Sequence, residues 1–150
     1  MRDLSRDVKI VQHVVPAVYT TTPNPSPVDR KGFESVTGVI DVGVGGITFT
    51  TTNKIEFIAT HGDATDAMSA VAADDVYITM PDGTEGTLAD GGIVRALTAA
   101  HAAGTVTKVA YLGAKRHFEI TPTHAGTHAT GTPYSVTMIL GHAHNRPAGV

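Results

Sequence analysis

The sequence contains no cysteine and no tryptophan. Without cysteine there is neither a disulfide framework nor a thiolate metal site, so any fold must rest on its core. The chain's 150 residues can supply one, since a domain of that size buries roughly 70% of the surface its unfolded chain exposes. One domain over residues 1–150 is therefore expected. Charge is scarce too. Asp, Glu, Lys and Arg make up 17% of the chain, with 11 basic against 14 acidic residues and a formal net charge of -3. That is not the footprint of a nucleic-acid binder. No apolar run approaches the ~20 residues of a membrane span. The opening MRDLSRD alternates in sign and lacks the apolar stretch of a signal peptide. The expectation is a soluble protein made in a cytosol, with neither nucleic acid nor membrane as partner.

Threonine, alanine and glycine fill the chain instead, a composition of strands and tight turns. Residues 8–15 (VKIVQHVV) are a β-branched run that Pro16 stops or confines to an edge. Residues 16–32 hold Pro16, Pro23, Pro25 and Pro27, cannot be helical, and read as an extended, polyproline-like arm. Residues 33–42 alternate, with Val36, Gly38, Ile40 and Val42 on the core side. Gly43, Gly45 and Gly46 break that strand. Residues 47–52 (ITFTTT) are β-prone, and residues 53–60 form a strand with Ile55, Phe57 and Ala59 on one face. Residues 62–73 are the one helix predicted, capped at Asp63 and carrying a short stripe of Ala67, Met68, Ala70 and Val71. Strands follow at 75–80, 92–97, 105–112, 116–121 and 134–140. Pro81-Asp82-Gly83 marks a turn, and residues 105–112 and 116–121 are expected to pair as a hairpin across Gly113. Residues 141–150 read as a polar tail. About eight short strands without βαβ alternation indicate an all-β antiparallel sandwich.

Several segments taken together resemble one family. They are VDRKGFESVTGVIDVG (28–43), NKIEFIATHGDA (53–64), VAADDV (71–76), VAYLGAKRHFEITPT (109–123) and GTPYSVTMILGHAHNRP (131–147). Their order is similar to that in head decoration or head-spike-base proteins of tailed phages and gene transfer agents. The resemblance runs from Val28 onward and departs at residues 78–107, which are longer than the pattern. It implies a jelly-roll-like β-sandwich on the outside of a capsid, without catalytic residues. Within that frame the chain divides into an N-terminal strand and arm (1–32), a sandwich core (33–142) and a tail (143–150). The implied partners are a major capsid protein, further copies of the chain (pentamers at vertices being one arrangement) and a spike or fibre protein. The implied location is the virion exterior after synthesis in a host bacterial cytoplasm.

Candidate chemistry is sparse. Of the eight histidines, His142 and His144 lie two apart, a spacing that puts both rings on one side of an extended strand and can chelate a metal. Zinc or nickel would need further ligands, so no metal and no cofactor is expected. His124 and His128 lie four apart, but in a glycine-containing loop. Histidines clustered at subunit contacts would make assembly sensitive to pH near 6. Asp63, Asp66, Asp74 and Asp75 do not follow a calcium-loop spacing. Gly43-Val-Gly-Gly46 precedes a β-prone segment where a dinucleotide fingerprint needs a helix. No serine sits in a nucleophile elbow, and no enzyme is expected. Arg30-Lys31 and Lys115-Arg116 are basic turns, with two readings each: solvated loop tips, or contacts to an acidic capsid surface. The primary expectation is a virion structural protein. The alternatives are a carbohydrate-binding module, which the aromatic content of 5% weakens, and a tail or head–tail connector component.

Overall fold

A computed structural model describes residues 6–144, and nearly all of their regular structure is strand. β1 (Lys9–Tyr19) does not stop at Pro16. It runs on as the edge of its sheet, where a missing N–H costs no ladder bond, and Pro16 falls within the second of two register irregularities. The first falls at His13, which leaves the ladder as the extra residue of a bulge and turns Nε2 toward the Ile120 N–H of the opposite sheet at 3.3 Å. Residues 20–27 carry the chain across to that sheet, where β2 (Val28–Asp29) begins. Parts of the expected arm are thus strand: 16–19 in β1 and 28–29 in β2. Residues 1–5 and 145–150 lie outside the described residues.

β3 (Phe33–Val42) buries Val36, Gly38, Ile40 and Val42, the alternation the sequence predicts. β4 (Lys54–Gly62) buries Ile55, Phe57 and Ala59. Between them, residues 47–52 are not a strand. Thr50 Oγ1 accepts the N–H groups of Thr52 and Asn53, and such local bonds compete with a ladder. Phe49 is instead buried from a loop, its ring 5.7 Å from that of His101.

The helix expected at 62–73 is absent. The chain turns at 64–67, β5 (Ser69–Ala70) pairs with Thr60 and His61 of β4, and the Val71 N–H donates to Ala59 O. Ala67 and Ala70 are exposed, so a helix here would have had no apolar stripe to bury. Asp75 caps a 3-10 turn (Ala73–Asp75) by accepting the Ala72 N–H. β6 (Val76–Thr79), β7 (Glu85–Gly86), β8 (Ile93–Leu97), β9 (Thr105–Tyr111), β10 (His117–Ala125) and β11 (Thr132–Ala143) complete the set. No helix among the described residues is long and apolar enough to cross a membrane.

Two antiparallel sheets result, one ordered β1-β11-β3-β9-β6-β7 and the other β2-β10-β4-β5, with β8 also pairing β4. β9 and β10 are not a hairpin, because they belong to different sheets. The reason lies at Tyr111. Its ring points inward and stacks on Phe118 at 4.6 Å, and the turn wraps the phenol: a Cβ on Gly113 would lie 2.5 Å from Tyr111 Oη. Between the sheets Ile40, Phe57, Val109, Ile120, Val136 and Met138 are fully buried. Gly38 keeps β3 flat against Ile120 and Met138, leaving no room for a side chain of its own.

Candidate interface at one end of the sandwich

The residues singled out in the sequence lie far apart along the chain, yet the fold brings them to one end. The β2–β3 turn carries Arg30, Lys31 and Gly32, the last in a left-handed conformation (φ 88°) open to glycine. The turn after β9 brings Lys115 and Arg116, and β11 ends beside them, with the His144 N–H donating to Gly32 O at 2.9 Å. Between them lies an open groove of 610 Å³, lined among others by Arg30, Lys31, Phe33, Glu34, Arg116 and His144.

Most of the positive charge here is already engaged within the chain. Arg116 grips Asp29 with two parallel bonds, Nε to Oδ1 at 3.0 Å and Nη2 to Oδ2 at 2.5 Å. The guanidinium holds the Asp29 carboxyl down at about 2. Lys115 Nζ lies 2.6 Å from Asp63 Oδ2, which likewise draws that carboxyl below its ordinary range. Arg30 acts as a clamp: Nε donates to Lys115 O at 2.6 Å, Nη1 to Glu34 O at 3.3 Å, and the guanidinium sits 5.4 Å above the Tyr111 ring. Beneath it the Lys115 N–H donates to Tyr111 Oη at 3.0 Å, and the same hydroxyl shares a hydrogen bond with His61 Nδ1 at 2.8 Å. Lys31 differs. Its backbone N–H donates to Asp29 Oδ1, but its exposed ammonium has no partner among the described residues. Of the four basic candidates, Lys31 alone presents an uncommitted charge.

His142 and His144 do not form the pair that extended spacing suggests. His142 takes φ 54°, which breaks the alternation. Its Nδ1 meets Ser35 Oγ at 2.9 Å, while His144 Nε2 faces Glu34 Oε1 at 3.7 Å. Among the described residues no group of three His, Cys, Asp or Glu is placed to hold a metal ion. The histidines that do meet are at the other end of β10. The rings of His124 and His128 approach to 4.3 Å, and His124 Nε2 bonds Tyr134 Oη at 2.8 Å. Burial, with His128 beside it, pushes the His124 pKa down to about 4. Sequence spacing gave little sign of this contact, because β10 is still extended at His124 and the loop folds back to bring His128 over it.

No family model matches the sequence, and no curated protein does. Among solved structures, the fold is similar to that in the crystal structure of SPBc2 prophage-derived protein YomS. The TM-score is 0.52 at 12% identity, and the match covers 91% of this chain and 94% of that one.

Proposed function

We propose that this chain is a non-enzymatic structural component of a phage-type particle, carried on the outside of the head as a decoration or as the base of a spike. The observation that carries the reading is the likeness of fold, over nearly the whole of both chains, to a protein encoded in a prophage. The pairings add support. β1 pairs β11, β2 pairs β10, β3 pairs β9 and β4 pairs β8. Nested pairs of this kind, wrapped into two sheets, support reading the fold as a jelly roll, an architecture common in viral capsids. Residues 63–92, with β5 to β7, are then an insertion between the fourth and fifth strands of the roll. The proline-containing crossover at 20–27 is the shortened counterpart of the arm.

The proposed partners are a major capsid protein, further copies of the chain and a spike or fibre protein, with assembly following synthesis in a bacterial cytoplasm. The Arg30–Arg116 end is the proposed capsid contact. Its internal ion pairs and the Arg30 clamp fix the backbone, and Lys31 supplies the charge free to meet an acidic surface. Cryo-electron microscopy and mass spectrometry of particles from cells making the protein test this. Density for the chain on the head exterior is expected, and Lys31→Glu is expected to lower its occupancy several-fold while leaving the fold unchanged. Particles without the chain, or purified protein that turns over a substrate, would overturn the reading. Unchanged occupancy for Lys31→Glu would remove this end as the contact.

A further inference from the structure

The outer face of the six-stranded sheet lacks the charge expected of a sheet face turned to water. The registers define its rows. Ile10, Ile139, Thr37, Ala110 and Tyr77 lie side by side across five strands. Gln12, Thr137, Val39, Lys108 and Thr79 form the next row, followed by Ser135, Asp41 and Val106, then Val18 and Pro133. Ile10 (65%), Val18 (62%), Val106 (48%) and Tyr77 (47%) are well exposed. Solvated antiparallel faces ordinarily alternate toward polar residues. This one carries three charges, Asp41 and Lys108 on the central strands and Glu85 opposite Thr79 on the β7 edge, and neither Asp41 nor Lys108 has an ion-pair partner among the described residues. Asp41 lies opposite Val106 and Lys108 opposite Val39, so the two charges are diagonal neighbours on adjacent strands.

We propose that this face is where two copies of the chain meet about a two-fold axis, with Asp41 of each copy against Lys108 of the other. The charges select this occupant. The patch on β3 and β9, with one unpaired acid next to one unpaired base and Glu85 out on the β7 edge, is complementary to itself when rotated by half a turn, and a two-fold interface uses each pair twice. Flat, β-branched faces also pack sheet on sheet at about 10 Å. The area fits a modest association. At ~4.8 Å between strands and ~6.8 Å between same-face residues, the rows cover on the order of 500 Å² per copy. About 1,000 Å² in all is the lower bound for a specific interface. The proposal concerns a different surface from the Arg30–Arg116 end and stands independently of the particle reading.

Sedimentation equilibrium of the full chain from micromolar to millimolar concentration tests it. A monomer–dimer equilibrium is expected. Asp41→Lys and Lys108→Asp should each weaken dimerisation by about tenfold or more, since like charges then face each other. Combining both should restore it to within about threefold, because the swapped pair is complementary again. Val106→Glu, on an exposed position, should abolish the dimer. Circular dichroism and the melting temperature of each variant report whether the fold is kept. A wild type that stays monomeric, an assembly other than a dimer, or a double variant no stronger than the singles would each overturn the proposal.

Discussion

At the scale of single residues, two histidines set the acid limit of the protein. His13 Nε2 can accept the Ile120 N–H only while that nitrogen is unprotonated. Burial pushes the His13 pKa down to about 4, and His124 is lowered similarly. The unfolded chain, with imidazoles near 6.5, therefore binds more protons than the folded one below that pH. The histidine contribution is complete above about pH 6.5, falls as pH drops toward 4 and levels off there, below which the lowered Asp29 carboxyl carries the loss further. For His13 the full loss is on the order of 3 kcal/mol. Glu119, whose carboxyl is raised by burial, works in the opposite sense in acid. Urea midpoints measured from pH 7.5 to 4 should fall for the wild type. His13→Gln, which keeps an acceptor without a titrating ring, should flatten the decline. A parallel decline in the variant would show that His13 is not its source.

At the scale of elements, the central contact between the sheets is set by a missing side chain. Gly38 on β3 lies directly under Ile120 of β10 and beside Met138 of β11. Gly38→Ala should destabilise the protein by about 1–3 kcal/mol, the cost of overpacking a filled core. Shortening the neighbour in Gly38→Ala/Ile120→Val should recover part of that loss in the same chemical-denaturation measurement. Additive losses would mean the two side chains do not compete for one space. Strands of this kind were legible in the sequence because burial on one face writes a period of two. Val36, Ile40 and Val42 in β3, and Ile55, Phe57 and Ala59 in β4, are buried as the alternation predicts. Segments without a buried face were misread. Residues 62–73 have helix-forming alanines but bury Val71 alone among the stripe residues, and residues 47–52 have strand-forming threonines that bond their own backbone.

At the scale of the whole molecule, the pairing partners could not be read from the sequence. Alternation reports which side of a strand is buried, not which strand lies beside it. The likeness of 105–112 and 116–121 to a hairpin is an example: a short polar turn looks the same whether it joins neighbours or crosses between sheets. The candidate end was half legible. Arg30, Lys31, Lys115 and Arg116 do converge, but their partners Asp29 and Asp63 were visible only once the fold was closed, and they leave Lys31 as the one available charge. Almost every pairing joins residues distant in sequence, as with Lys9 opposite Leu140. Chains dominated by such contacts fold slowly, so refolding from urea should take milliseconds to seconds. Single-phase recovery in microseconds would contradict the nested arrangement.

The position of β11 has a consequence for biosynthesis. It is not an edge but the strand that joins β1 to β3. On a translating ribosome, the segment that seals the larger sheet is made after every other strand among the described residues. Its place is held open until residues 132–143 come free. Until then β1 and β3 each lack the neighbour that β11 supplies.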